Sequence, residues 1–573
     1  MIRKVLIITS LTATFLLYQN CGEGFESINL GTPTVHDSSA PTNNQGMQPV
    51  GEPIQEPVIP EPVLVDPKPQ MPNMTGLQKI KSYKFSGVSE SVRKSFGCNG
   101  NYEQKHFTPQ TQWSYTHRVS NSAEMNAALD KIKGGERILI TDGSSFGDII
   151  LKSTNGSSTQ KKYIMGASGC SGSGNETMIG GRFDIKGDHW VIMNIKTREG
   201  PGDGIFAFVK GSYNIIYNNY LSKAGRIRFQ PQGEFRNSKT RGNKIINNLL
   251  RGAGAGSRHI GPGISFWHPY SGKLPATFDT AIIGNTFDNF SDPKYQSLAI
   301  VDTSWGLGHP ESGGLTPDPV YLELAHNHFQ RCNSQIFNSK TTKHWIHDNL
   351  FENLSTDGDA AHLQLRSGGD KLFSRNILVT PGSRSIITNG GLNRGYFNVL
   401  VSPGSFGLTT SWTAAIREDA VPMFDNRERV INNDWQWNFF LGTKTQKSAH
   451  WMSMLLSRGT QYDTPPKDNI IKNNIYCSPQ PKTLTWNMYS YPGHEGLTRL
   501  SEADWVKNNP QGVRSLQHFA TRNESGVCSL NNLVEMPEFM VSKGFWLNGK
   551  DVITRRPSWV NGSSDSVIST NSE

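Results

Sequence analysis

One local pattern recurs along most of this chain: apolar residues, an asparagine, then more apolar residues. It reads NIIYNNYL, NKIINNLL, AIIGNTFD, LELAHNHF, KHWIHDNLF, DKLFSRNIL, RGYFNVLV and NIIKNNIY, with Asn219, Asn248, Asn285, Asn327, Asn349, Asn376, Asn398 and Asn474 in register. The gaps run from 22 residues, between Asn327 and Asn349, to 76 residues, between Asn398 and Asn474. A minimum repeat lengthened by irregular amounts marks a solenoid, in which each repeat is one turn and insertions leave as loops. The repeats hold short apolar runs and no helix pair, so the predicted fold is all-β, a right-handed parallel β-helix. In such a stack each asparagine lies above the last, and the amides hydrogen-bond from turn to turn as in other in-register parallel stacks.

The flanking segments divide the chain further. MIRKVLIITSLTATFLLYQNC has Arg3 and Lys4 before an apolar run that is too short to span a bilayer. Residues 1–20 therefore read as a secretory signal, and the run resembles a bacterial lipoprotein signal in which Cys21 is lipidated. Residues 21–78, with EPIQEPVIPEPVLVDPKPQMP at their centre, are too poor in apolar surface to order themselves and read as a tether. The β-helix is predicted over 79–480, with an insertion at 412–468 that includes NNDWQWNFFLG. Ser122 is placed to cap a short helix (Met125, Leu129, Ile132) that covers the open N-terminal edge of the stack and ends at Gly134 and Gly135. Residues 481–560 are expected to pack on or cap the stack, and 561–573 to form a disordered tail.

Charge and cysteine content narrow the function. The 573 residues carry a net charge of +9, mild for this length, and no dense Lys/Arg run. That favours an acidic partner and argues against nucleic acid. Cys98, Cys170, Cys332, Cys477 and Cys528 form no CxxC or zinc spacing. In an exported protein five thiols permit two disulfides with one left over; Cys477 with Cys528 is one plausible bridge, but spacing does not fix the pairing.

Two segments carry the chemistry. NSQIFNSKTTKHW holds Lys340, and AHLQLRSGGDK holds Arg366; alternating apolar and polar positions make each a half-buried strand. Together with ALDKIKGGERILITDGSSFGDIIL and the rungs after it, they resemble the chondroitinase B and alginate lyase family, polysaccharide lyase family six, over roughly residues 120 to 400. The resemblance implies β-elimination on a uronate-containing polysaccharide, alginate or a glycosaminoglycan, with Lys340 as base and Arg366 at the leaving side or on the substrate. It also implies Ca²⁺ held by two acids on the lysine strand. Here those positions are Asn333 and Gln335, and the usual LRHG is LRSG with Ser367, so no cofactor is expected.

The amides at Asn333 and Gln335 are then candidates to bind the substrate carboxylate directly, with His362 and Arg384 as further substrate-binding residues. His362 shares strand parity with Arg366 and is a candidate to replace the missing histidine, as are His344 and His347. The alternative function is a catalytically inactive surface lipoprotein that binds glycan or a partner through the same groove. A glycoside hydrolase would need two carboxylates across the groove, and Asp357 and Asp359 fall on an inserted loop. The expected protein is an exported, lipid-anchored monomer at the outer membrane, cell surface or periplasm, with an acidic polysaccharide as partner.

Overall fold

The computed structural model describes residues 77–84, 88, 90–99, 106–141, 146–152, 156–167, 170, 177–197, 205–222, 226–229, 240–252, 263–267, 277–290, 299–303, 319–332, 336–339, 342–352, 361–365, 371–379, 384–389, 392–401, 414–419, 432–441, 450–455, 468–478, 502–511, 514–525 and 527–537. All of them lie in one compact unit, Asp66–Glu573. The chain winds through three long sheets in rotation, which we call I (14 strands), II (11 strands) and III (13 strands). One turn shows the rule. Phe337–Ser339 lies in sheet II, Thr342–His347 in sheet III and Leu350–Glu352 in sheet I. The next turn repeats it with Ala361–Leu365, Leu372–Ser374 and Ile377–Val379, each paired parallel to its predecessor. This is a parallel β-helix.

The asparagine pattern marks the corner between sheets III and I. Before each asparagine stands a residue with positive φ: Asn218, Asn247, Gly284, His326, Asp348, Arg375, Phe397, Trp437 and Asn473, between 51° and 67°. A left-handed residue followed by an extended one turns the chain sharply in two residues, at a cost of about 1 kcal/mol or more for the non-glycine cases. The buried ladder opposes that cost. The Asn349 Oδ1 accepts from both the backbone N–H and the Nδ2 of Asn327, at 3.0 and 2.9 Å. Its own Nδ2 donates to the Leu324 and His347 carbonyls and to Asn376 Oδ1. Each ladder amide is fully buried, and its satisfied bonds let a polar group sit inside the stack.

The ladder has a member between Asn398 and Asn474. Asn438 accepts from Asn398 and donates to Asn474 Oδ1. The segment 412–468, read from sequence as an insertion, instead supplies strands Ala414–Asp419, Asp434–Gln436, Phe439–Leu441 and His450–Leu455 to the three sheets. The aromatic residues of NNDWQWNFFLG are rung residues. Trp435 fills the interior across from Phe373, 5.6 Å between ring centroids, and Gly395 between them has no side chain to obstruct it.

Interior packing follows the same vertical logic. Phe287, Phe329 and Phe351 stack at 4.5 and 4.7 Å inside sheet I, and Ile245, Ile282, Leu324 and Ile346 line the inside of sheet III. Each buried ring contributes about 2–3 kcal/mol of apolar transfer. At the N-terminal end Met125 and Ala128 join this core from helix Ser122–Leu129, and Ile132 from the segment just after it. The cap is Asn121, whose side chain accepts from the Glu124 N–H, so the helix starts one residue earlier than Ser122 as cap would require.

The sequence starts the stack at 79; the structure sends the first strand, Leu77–Lys84, to the far end of sheet I. There it pairs antiparallel with Val527–Pro537, which pairs antiparallel with His518–Arg522. A disulfide joins Cys477 to Cys528 at that end, a second joins Cys98 to Cys170, and Cys332 is a buried thiol. From Leu77 the chain runs back along the stack to the early rungs. Tyr83 packs on Phe439, Arg93 bonds Glu352, and Gly97 donates to the His326 carbonyl. Further on, Phe107 meets Tyr217 and Trp113 meets Tyr163. Gly97 has φ +64° and a Cβ there would collide with the Thr286 hydroxyl, so this strap needs glycine at its closest approach.

The ladder yields a direct test. Asn349→Ala removes the acceptor for two buried donors of Asn327 and should lower unfolding free energy by about 2–5 kcal/mol, read as a lower denaturant midpoint at unchanged slope.

Candidate functional site

The strap decides which face of the β-helix is available. It lies over the outside of sheets I and III, where Phe96 packs with Leu350 and Ile377, and Phe107 with Tyr217, Ile246 and Ile283. Among the described residues no segment packs on the outside of sheet II in this way.

In sheet II the pairing is continuous in register. Ile300, Phe337, Leu363 and Ile386 pair in succession, and all four are fully buried. The following positions are Val301, Asn338, Gln364 and Ile387, and after those Asp302, Ser339, Leu365 and Thr388. Lys340 follows Ser339 in the chain and Arg366 follows Leu365. Lys340, Arg366, Asn333 and Gln335 themselves lie outside the described residues, as does Cys21. His362 is in the strand Ala361–Leu365, beside buried Leu363. Arg384 opens the strand Arg384–Asn389 and pairs with Ala361 on the adjacent rung. The side chains of both lie outside the described residues.

A second amide ladder, which the sequence reading missed, runs along the corner between sheets II and III. Trp190 N–H donates to Asn214 and Asn214 N–H to Asn243, each at 2.9 Å. At the other end Asn393, Asn433, Asn469 and Asn509 form the same chain at 2.8–3.1 Å. Between these runs the strand register puts Thr280, Leu322, His344 and Lys371 at the ladder position. These four rungs contain the strands Ile264–Trp267, Ile300–Thr303, Phe337–Ser339 and Ala361–Leu365. The amide run is therefore interrupted on four successive rungs, and the sheet II strands of two of them end at Ser339 and Leu365, directly before Lys340 and Arg366 in the chain. The signal was present in the sequence as the NN of NNYL-type corners having a partner Asn five residues earlier.

Of the histidines, His344 is fully buried at this corner and packs edge-on to Phe337, 5.7 Å between centroids. His347 lies elsewhere, on the outside of sheet III under the strap. Its Nδ1 is 2.8 Å from Asp348 Oδ2 and its Nε2 is 3.1 Å from Glu323 Oε1. Arg375 donates to both oxygens of Asp348, at 2.8 and 2.5 Å. Burial works against a charged His347, but the hydrogen bonds to Asp348 and Glu323 outweigh it and raise its pKa. Burial also opposes ionisation of Asp348, while Arg375 and His347 hold its carboxyl far below the usual range. His347 is thus held between two carboxylates on the outside of sheet III, and does not stand in for the histidine of LRHG.

His326, His347 and Asp348 offer ligand atoms within 4.8 Å of one another. A cation there would meet the Arg375 guanidinium on Asp348 and a His347 whose two nitrogens already serve carboxylates, so this donor set does not fit a metal. At the two positions where the family resemblance implies acids for Ca²⁺, this chain has the neutral Asn333 and Gln335, which lie outside the described residues.

No family model matches the chain, and no curated protein matches it. Similar solved structures include the PL6 family alginate lyase AlyGC, at 13% identity and TM-score 0.44, over 73% of this chain and 55% of that one. A PL6 family polysaccharide lyase from Pseudopedobacter saltans is similar at 13% identity and TM-score 0.44, covering 66% and 88%. A mannuronic acid specific family 6 lyase from human gut microbiota is similar at 14% identity and TM-score 0.46, covering 71% and 87%. The chain thus spans little more than half the length of AlyGC. The fold assignment rests on the strand register described above.

The buried cluster gives a pH test. Loss of hydration lowers the His326 pKa to about 3; Asp348 opposes that shift, and His347, His106 and Arg375 add to it. An unfolded histidine titrates near 6.5, so the unfolded chain takes up a proton that native His326 refuses, and stability is lost as pH falls through that window. Asparagine occupies the equivalent left-handed corner at 218 and 247. His326→Asn should therefore gain stability over wild type increasingly below pH ~6.5, read as a Tm difference that widens toward pH 4.

Proposed function

We propose that this protein is a polysaccharide lyase that cleaves a uronate-containing acidic polysaccharide by β-elimination without a resident metal. The observation that carries the reading is the pairing of Ser339 with Leu365 on sheet II. The residues that follow them in the chain are Lys340 and Arg366, the two cations of the lyase-like motif, and they belong to adjacent rungs. The strap over sheets I and III and the interrupted corner ladder support the same face and the same rungs.

The chemistry asks for three things. The substrate carboxylate must be neutralised, because the C5 proton is otherwise too weakly acidic for a side-chain base and the developing enolate must be stabilised. We assign that role to the amides of Asn333 and Gln335, which donate hydrogen bonds without adding charge. Lys340 takes the C5 proton, the C4–O4 bond breaks, a C4–C5 double bond forms, and the leaving oxygen takes up a proton. A lysine does this only when its pKa is lowered, and a neighbouring guanidinium acts in that direction. Arg366 stays protonated and holds substrate oxygens in a planar fork. His362 and Arg384, on strands paired in the same sheet, are proposed to extend the substrate contacts.

Substrates of this size meet the protein outside the cytoplasm. We accordingly propose export, with a lipid on Cys21 and residues 21–78 as the tether that lets the groove reach polymer.

Lys340→Ala should lower formation of unsaturated product by about a hundred- to ten-thousand-fold while polymer affinity stays within about twofold by calorimetry. Arg366→Ala should weaken affinity and turnover together, since it touches bound charge as well as the transition state. Equal losses of affinity in both variants, with turnover of bound substrate intact, would remove Lys340 as the base.

A further inference from the structure

The row of sheet II positions that includes Ser339, the residue before Lys340, continues toward the N-terminal rungs, and the residues that follow it there are basic. Leu151 pairs with Ile185, and Ile185 with Val209. The residues that follow these three are Lys152, Lys186 and Lys210. The same register passes through Phe229, Phe266 and Asp302 to Ser339, which Lys340 follows. From the strand Phe337–Ser339 back to Ile205–Val209 is four steps in sheet order, and to Phe183–Ile185 five. At about 4.8 Å per step these lie roughly 19 and 24 Å along the stack.

Lysines on adjacent rungs repel. Asp184, two positions before Lys186, relieves part of that repulsion, at 2.7 Å from Lys210 Nζ and 3.8 Å from Lys186 Nζ. One carboxylate between two ammonium groups leaves a positive excess, and Lys152 on the preceding rung adds to it. Phe208 lies on the same face. The Arg182 guanidinium sits 5.0 Å from its ring centroid and Lys210 Nζ 5.6 Å. The Lys210 side chain is 10% exposed and that of Lys186 29%, so Lys210 is held against the sheet on Asp184 and Lys186 is the more open of the two. A half-buried aromatic ring bordered by ordered cations offers what an acidic sugar needs, an apolar platform for ring C–H groups and charge for the carboxylate.

We infer that Lys186, Lys210 and Phe208 form a remote subsite for the acidic polysaccharide, which lies along the stack axis from these rungs to Lys340. The inference rests on the lyase reading and deepens it: the substrate is a long polyanion, engaged several sugar units from the bond that breaks. The occupant is fixed by charge complementarity and by the alignment of the cationic row with the rung direction. A small uronate ligand at Lys340 does not reach the remote row, so chain length becomes the variable that separates the two parts of the groove.

The test compares wild type with Lys186→Ala/Lys210→Ala and with Lys186→Gln alone, on polymeric alginate, chondroitin sulfate and dermatan sulfate and on trisaccharides of whichever polymer is cleaved. The double variant should raise KM for the polymer by about five- to tenfold, leave kcat within twofold, and leave trisaccharide kinetics unchanged. Lys186→Gln, which keeps the Lys210–Asp184 pair, should show a smaller shift in the same direction at unchanged Tm. The wild-type preference for polymer should shrink with added salt more than that of the double variant. Cleavage by wild type with identical polymer KM in all three proteins overturns the remote subsite and leaves the lyase reading standing. A wild type that neither binds nor cleaves any of the three polymers overturns both.

Discussion

The buried amide ladder between sheets III and I is the interaction on which the rest of this structure depends. Each asparagine from Asn219 to Asn474 joins a left-handed corner on its own rung to backbone and side-chain donors of its neighbours. That fixes the height of the rung and the direction in which the chain leaves the corner. Stacked phenylalanines and isoleucines then fill the interior. Apolar packing supplies most of the driving force. The ladder supplies register, because an asparagine out of line leaves buried donors without acceptors.

Register is what turns a scaffold into a surface. With every strand of sheet II aligned, residues more than a hundred positions apart in the chain fall into straight rows on its outer side. The strap from Leu77 to Trp113 closes the opposite side, tied to the rungs by Arg93 on Glu352, by Gly97 on the His326 carbonyl and by the Cys98–Cys170 disulfide. Sheets I and III outside are thereby converted into a second packing layer, with Glu323, His347, Asp348 and Arg375 as its charged centre. A linear polymer laid along sheet II meets a repeating lattice with a step near that of the strands.

Much of the fold was legible in the sequence, for a physical reason: the ladder amide has no substitute, so the same residue recurs. The Cys477–Cys528 bridge and the helix at the N-terminal end were legible too. Asn438 escaped notice because its rung is built from tryptophans and phenylalanines, which hide the usual Ile–Asn–Leu rhythm while packing the same interior. The second ladder escaped because Thr280, Leu322, His344 and Lys371 break it in the middle. The strap could not be foreseen, since its contacts join residues over 200 positions apart, such as Arg93 and Glu352, and nothing local encodes them. For the site, the motif named Lys340 and Arg366 and the register of Ser339 with Leu365 relates their rungs. His347 was a candidate on type alone, and its place under the strap between two carboxylates gives it a structural task.

The central claim is that the sheet II groove breaks a glycosidic bond by elimination, with no metal taking part. The measurement that tests it most directly is mass spectrometry of the oligosaccharides released by the full-length wild-type protein from alginate, chondroitin sulfate and dermatan sulfate in the presence of a calcium chelator. The account predicts new non-reducing ends that carry a C4–C5 double bond, each product lighter by one water than its hydrolytic counterpart, in the same yield with and without chelator. Fully hydrated ends, products that vanish with chelator, or polymer that binds and is never cut would contradict it.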